Sequence, residues 1–467
     1  MAQLDCDVAV IGAGTAGLSA ERKARDCGAR TLLIDPEFAG TTCASVGCMP
    51  SKLLIAAADA AHEARRADVF GVHADPRIDG PAVMRRLRNM RDGFVQGVKD
   101  GIARLPDEVR VKATAAFAGP NMLDLSNGDT VRAGAIVIAT GSTPKIPEPF
   151  RDLGDLVLTN ATIFELDDLP DSMGVIGAGP IGVELAQAMA RLGVRVEVFD
   201  MGDTVGGLPG PSSAALARIL RDEFPLHLGV TPKTRKTTDG VEISIDGHTA
   251  TFDRLLVATG RPPELDSLHL DRSGLTLTDK GAPEFDRQTM RCGDSHVFIA
   301  GDVNADRPLL HEASDEGAIA GHNAACPDDI RTAERKLPMA VTFTRPSASV
   351  LGRIPDDDDT DHVTGTADYA DQGRTKVMAH PGGLLRLHAE RATGRIVGAD
   401  LCLPDGEHIA HLLAWTITQG LTVDDALRMP FYHPTVEEGM KPALRELCKK
   451  IDSPMDWAAD DGAPPGV

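Results

Sequence analysis

Two stretches of this chain are built on the same plan. "DVAVIGAGTAGLSAERKARDCGARTLLID" (Asp7 to Asp35) and "SMGVIGAGPIGVELAQAMARLGVRVEVFD" (Ser172 to Asp200) each read as an apolar strand, a G-x-G-x-x-G turn, an amphipathic helix and a second apolar strand ending in aspartate. In both copies the aspartate lies 23 residues beyond the first glycine, close to the roughly 20 expected of a dinucleotide-binding βαβ unit. The glycines let the backbone approach a pyrophosphate, whose charge settles at a helix N-terminus, while the carboxylate accepts from ribose hydroxyls. Gly12, Gly14, Gly17 and Asp35 form one such set, and Gly177, Gly179, Gly182 and Asp200 the other. A single motif could be no more than a tight strand-to-helix turn. Two in phase, each between a strand and a helix, predict two dinucleotide sites. Asp200 would repel a 2′-phosphate, and the "MGDTVGG" that follows Phe-Asp adds an acid and no arginine, so the second site is expected to prefer NAD to NADP.

Three more apolar runs close on glycine: "IVIATGSTP", "LLVATGRPP" and "HVFIAGDV". Ligands of open α/β sheets bind beyond the carboxyl ends of the strands. Thr140, Gly141, Gly260 and Asp302 therefore fall where a cofactor can be touched, although buried strands with C-terminal turns are the plainer reading.

A chain of 467 residues can bury a large core in roughly two to four domains without staples. Its eight cysteines are ordinary usage, with no CxxC pair or zinc-like Cys/His spacing, so no metal site is expected and a reducing cytoplasm fits. The start, "MAQLDCDVAVIGAG", lacks a basic region followed by a long apolar core, and no apolar run reaches the ~18 residues of a membrane span. With 48 Lys+Arg against 69 Asp+Glu, the net charge of −21 opposes nucleic acid and anionic membrane as partners.

The segment "GTTCASVGCMPSK" (Gly40 to Lys52) holds two cysteines five residues apart. Such a pair cannot bridge inside an unbroken helix, where five residues rise about 7.5 Å, so the turn at Val46-Gly47 must be distorted. Pro50 suits the first turn of the amphipathic helix that "SKLLIAAADAAHEARRA" describes, placing Cys48 near a helix N-terminus. The dipole there favours a thiolate, and Lys52, one turn on, adds positive charge on the same face. A reactive pair is the reading favoured over two unrelated thiols or a surface staple. Cys6, Cys27, Cys292, Cys326, Cys402 and Cys448 have no motif context and read as ordinary thiols.

Taken with "GAGPIGVELA", "AGDV" and the C-terminal "FYHPTVEEG", this segment resembles the pyridine nucleotide-disulfide oxidoreductase family, most of all its members that oxidise dihydrolipoyl groups, from Asp7 to about Cys448. The resemblance implies a redox disulfide in which Cys43 exchanges with substrate and Cys48 is the thiolate beside a flavin. It implies that Lys52 and Glu184 pair near the flavin's reactive edge, that Asp302 binds the FAD ribityl chain, and that Asp35 binds the adenosine ribose. Thr140 and Gly141 would also meet FAD, and Gly260 NAD. Thr41 and Ser45 depart from the family's usual residues but leave the redox atoms in place, and Asp35 stands where Glu is commoner.

Pro434 suits a first helical position, which predicts His433 just ahead of a helix and Glu438 within its first turns. A carboxylate so placed can orient an imidazole acting as general base for a dithiol. In the family this His comes from the other subunit, implying a homodimer, with a lipoyl-bearing protein as substrate. A reductase of another small disulfide and a non-catalytic flavoprotein subunit are the alternatives. The family's mercuric and large thioredoxin reductases would want further cysteines near the C-terminus, where only Cys448 stands.

The expected fold is α/β, with two Rossmann-like dinucleotide-binding domains followed by an α+β dimerisation domain. Residues 1–148 form the first part of the FAD domain, 149–268 the NAD domain, 269–336 the return to the FAD domain, 337–448 the dimerisation domain and 449–467 a flexible tail. "PDDDDTD" (Pro355 to Asp361) lacks the Gly and Glu of an EF-hand loop and reads as a solvated acidic turn.

Overall fold

The computed structural model describes residues 2–356, 358–380 and 382–452. Its first strand, β1 (Gln3–Ile11), is closely packed: Val8, Ala9 and Val10 are fully buried. Burial on both faces is what a parallel strand between helical layers requires, and each such valine contributes about 1.5–3 kcal/mol. From β1 the chain enters helix α1 (Thr15–Asp26) and returns as β2 (Thr31–Asp35), parallel to β1. On the other side β1 pairs in parallel with Thr130–Ile138, which also carries Val297–Ile299. These strands belong to a seven-stranded sheet.

A second sheet repeats the arrangement. Ser172–Ile176 lies between Arg195–Phe199 and Arg254–Val257, all parallel, in a five-stranded sheet edged by Leu226–His227 and Val157–Leu158. The helix Pro180–Arg191 makes its crossover. Beside it, Lys233–Thr237, Gly240–Ile245 and His248–Phe252 form a three-stranded antiparallel sheet.

From Met339 onward the sheet is wholly antiparallel, with five strands in the order Met339–Thr342, Ser347–Gly352, Ile396–Leu403, Leu384–Glu390, His362–Asp368. Helices Gly406–Thr418 and Lys441–Cys448 contribute to its core through Ile409, Leu413, Leu444 and Leu447. The two α/β units and the antiparallel unit are those the sequence pattern predicts.

The acidic run is a solvated turn as expected at Asp356, Asp358 and Asp361, which are exposed, while Asp359, its side chain 12 % exposed, takes hydrogen bonds from Arg353, His362 and the Asp361 amide. One expectation needs correction: the chain does not come loose at residue 449, since the Asp452 amide donates to Arg391 O at 2.9 Å and Ile451 packs on the antiparallel sheet's core. The rest of the expected tail, 453–467, lies outside the described residues. Among the described residues, no helix is long and apolar enough to cross a membrane.

Candidate active site

The two glycine turns have the same geometry. A Cβ on Gly12 would stand 2.4 Å from Ala139 O, and one on Gly177 2.5 Å from Ala258 O, so each turn abuts the end of the neighbouring strand. The third glycines are tighter still: Cβ atoms on Gly17 and Gly182 would fall 1.8 and 1.9 Å from the carbonyls of Gly12 and Gly177. The middle glycines differ. Cβ atoms on Gly14 and Gly179 would meet nothing within 4 Å, leaving room at the helix N-terminus for a pyrophosphate. Each terminal aspartate braces its own turn: Asp35 accepts from Ala13 N at 2.9 Å, and Asp200 from Ala178 N at 2.5 Å. Both turns therefore fit a dinucleotide.

One cavity of about 980 Å³ joins the two units. Gly14 and Asp302 line it from the first, Gly179, Asp200 and Gly260 from the second, and Cys43 and Cys48 stand between them. Gly12, Gly17, Asp35, Thr140 and Gly182 are not among the residues that line it. Thr140 instead donates to Glu264 O at 2.6 Å.

The cysteines owe their position to a broken helix. Thr42–Ser45 forms a short turn, α2, and a second helix, α3 (Cys48–Arg66), begins three residues later. Gly47 marks the break, where a Cβ would press to 2.9 Å from Thr42 O. Thr41 caps α2 by accepting from Ala44 N, and the Ser45 hydroxyl donates back to Thr41 O at 2.9 Å. These two unusual residues thus hold the turn itself. Cys48 is the first residue of α3.

The two sulfurs are pushed in opposite directions. A hydrogen bond from the Cys43 thiol, followed by the charge of Lys52, pulls Cys48 down to about 6 against the cost of burial. The same bond and burial push Cys43 well above the usual thiol range. A proton therefore rests on Cys43 while Cys48 carries the negative charge.

Lys52 Nζ bonds Glu184 Oε2 at 2.6 Å and sits 4.4 Å from the centre of the Phe343 ring. Glu184 is buried and also accepts from Phe343 N at 2.7 Å. This pair links α3 to the crossover helix of the second unit. Asp302 accepts from the Ser142 hydroxyl at 2.8 Å, and Arg261 donates to Ser142 O at 2.7 Å. Sequence reasoning missed Arg261 and Ser142. Burial draws Arg261 below its usual value, opposed by Asp302 and Cys48, so its cation faces the thiolate's surroundings. The only signal was its place directly after Gly260.

His433 and Glu438 meet as their spacing predicts, with Nδ1 2.9 Å from Oε1. The local structure differs from the expectation. Pro434 opens no helix: a 3₁₀ turn begins at Glu437 and the helix at Lys441. Thr435 holds the intervening loop, its amide donating to Glu438 and its hydroxyl to Tyr432 O at 2.7 Å. The His433 side chain is 78 % exposed, and neither residue lines the cavity.

Two joined dinucleotide folds with a polarised thiol pair between them define an oxidoreductase that moves electrons between nucleotides and sulfur. Residues 6–317 match the pyridine nucleotide-disulphide oxidoreductase family, and residues 339–444 match that family's dimerisation domain. The chain belongs to this family; it is a disulfide oxidoreductase whose cofactors are FAD and NAD. It is 32% identical over 462 residues to a dihydrolipoyl dehydrogenase of Haloferax volcanii, covering 94% of this chain and 95% of that one. A mercuric reductase of Streptomyces lividans is also 32% identical, over 476 residues, with 95% and 97% covered. Among solved structures, the HOCl-induced flavoprotein disulfide reductase of Escherichia coli superimposes with a TM-score of 0.80 at 23% identity, covering 94% of this chain and 99% of that one. That last likeness speaks to the fold alone.

Proposed function

We propose that this protein is a dihydrolipoyl dehydrogenase, oxidising dihydrolipoyl groups carried on another protein to lipoyl groups with NAD⁺ as the final acceptor. The observation that carries the reading is the polarised pair at the start of α3, with Cys48 drawn to about 6 beside Lys52 in a cavity shared by both glycine turns. FAD is assigned to the unit of 1–148 and 269–336, held at Gly12, Gly14, Gly17, Asp35, Thr140, Gly141 and Asp302, and NAD to 149–268, at Gly177, Gly179, Gly182, Asp200 and Gly260. Subunits pair through 337–448.

The chain's own residues then have defined tasks. One substrate thiol gives its proton to His433, whose Nδ1 side is held by Glu438, and attacks Cys43 of the Cys43–Cys48 disulfide. Cys48 departs as a thiolate, and its low pKa makes it the better leaving group. The second substrate thiol attacks the mixed disulfide, forming the lipoyl disulfide and releasing Cys43, which takes up a proton. One disulfide is made and one broken, and the substrate's two electrons now reside on the enzyme's thiols. FAD, held at the first glycine turn and Asp302, would supply the two-electron chemistry that links these thiols to NAD⁺. Lys52 and Glu184 fix a charge pair beside that exchange.

The test is NAD⁺ reduction by dihydrolipoamide in the purified yellow protein, beside Cys48→Ser, with NADP⁺, Hg(II) and small disulfides compared. Turnover with dihydrolipoamide and NAD⁺ that disappears in Cys48→Ser supports the proposal. Silence, with a flavin still reducible by NADH, overturns it in favour of another disulfide substrate; a flavin that NADH cannot reduce favours a non-catalytic subunit.

A further inference from the structure

Away from the cavity, the C-terminal ends of α1 and of the helix Leu310–Ala325 converge. Cys27 and Cys326 are the C-cap residues of these helices. The helices touch backbone to backbone: Cβ atoms on Gly317 and Gly321 would lie 2.2 Å from the carbonyls of Ala16 and Ala20. His322 precedes Cys326 by one turn, on the same helical face. Cys27 Sγ is 3.4 Å from His322 Nδ1, and the ligand atoms of Cys27, His322 and Cys326 all lie within 4.8 Å of one another. Zinc bonds of about 2.3 Å to sulfur and 2.0 Å to nitrogen, at tetrahedral angles, set N···S near 3.5 Å and S···S near 3.8 Å. The Cys27–His322 pair already stands at such a separation, and the Cys326 sulfur lies within 4.8 Å of both.

One buried polar group of this cluster lacks a partner. His322 is buried, and its Nε2 has no hydrogen-bond partner. Asp329 Oδ2 is 3.9 Å from that nitrogen, where a small rotation would let it accept the Nε2 proton of a ligating imidazole. Both cysteines sit at the negative ends of helices, the reverse of Cys48. Thiolates gain nothing there without a metal. The trio of Glu197, His227 and His248 is different, because both imidazoles already bond Glu197 Oε2, at 3.1 and 2.8 Å.

We propose that Cys27, His322 and Cys326 bind a thiophilic divalent cation of the zinc(II) class, with water in the fourth position and Asp329 orienting His322. Binding displaces two thiol protons and moves no electrons. The metal would clamp α1, which follows the first glycine turn, to the helix whose Leu310 and Ala313 line the cavity, stiffening the first nucleotide unit.

The test titrates Zn²⁺ into the FAD-loaded protein carrying Cys43→Ser and Cys48→Ser, which removes the competing thiols. About one Zn²⁺ per chain should survive dialysis, Asp329→Ala should weaken binding roughly 10- to 100-fold, and Cys27→Ser or Cys326→Ser should weaken it further. Alkylation mapping of the otherwise unaltered chain needs no variant at these positions: Zn²⁺ should protect Cys27 and Cys326. No retained zinc, or retention indifferent to both serine variants, overturns the proposal. So does finding the two sulfurs joined to each other with no zinc bound.

Discussion

Cys43 and Cys48 are the same residue type in the same cavity, and their environments still separate them by a proton. Cys48 has a helix N-terminus, Lys52 and the Cys43 thiol to stabilise its charge. In the reduced enzyme, alkylation of Cys48 should therefore rise with pH through an apparent value of about 6. Cys43→Ala removes the largest contribution and should move that midpoint up toward the ordinary ~8.5 of a free thiol; a midpoint that stays in place would refute the assignment. The linkage has a definite sign. A thiol whose pKa falls on folding stabilises the reduced fold fully above about pH 8.5, and the contribution is lost as pH drops through about 6. The chemistry of this pair was legible because dipole, lysine and thiols all lie within thirteen residues of one segment. Arg261 was not, because its meaning depends on Ser142 and Asp302, which only the folded sheet brings to it.

At the scale of elements, the glycines of each turn divide their work, and the division can be tested. Gly14→Ala adds a methyl group where the apoprotein has open space. It should leave the thermal midpoint of the apoprotein nearly unchanged while FAD retention falls. Gly17→Ala forces a carbon to 1.8 Å from Gly12 O, and such overpacking should cost at least the usual 1–3 kcal/mol, roughly. Equal effects on fold and FAD retention in both variants would contradict this division. The helix that carries Glu184 is fastened to α3 by Arg191, which is 5 % exposed and bonds Asp59 at 2.8 Å and Glu223 at 2.7 Å. Removing one partner of a buried ion pair costs about 3–5 kcal/mol. Arg345 remains 2.9 Å from Asp59, so Arg191→Ala should fall near the lower end, and adding Glu223→Gln should recover part of the loss in urea unfolding. Glycine spacing and strand periodicity made the βαβ units readable. The loop after Pro434 was not, because the Thr435 bonds to Glu438 and Tyr432 that hold it follow no helical rule.

Across the whole molecule, the proposed general base and the thiols are on different parts of the chain. His433 is largely exposed, and the segment before it also exposes Met429 and Tyr432, as the helix Gly406–Thr418 exposes Leu412 and Trp415. Apolar side chains left in water on a unit that matches a dimerisation domain point to a covering partner. Under the proposed function, each site is built from two chains of a symmetric dimer, one subunit's His433 serving the other's Cys43. Cys48→Ser and His433→Gln should each abolish dihydrolipoamide oxidation. If the two inactive proteins are unfolded and refolded together, random pairing makes half of the dimers mixed, and each mixed dimer holds one site with both functional residues. About a quarter of the wild-type activity should then return, with neither variant recovering when refolded alone. If the mixture stays inactive while sizing shows mixed dimers, His433 serves its own chain's site or none. Recovery at the expected level would establish that the cavity is completed only when a second copy supplies the imidazole.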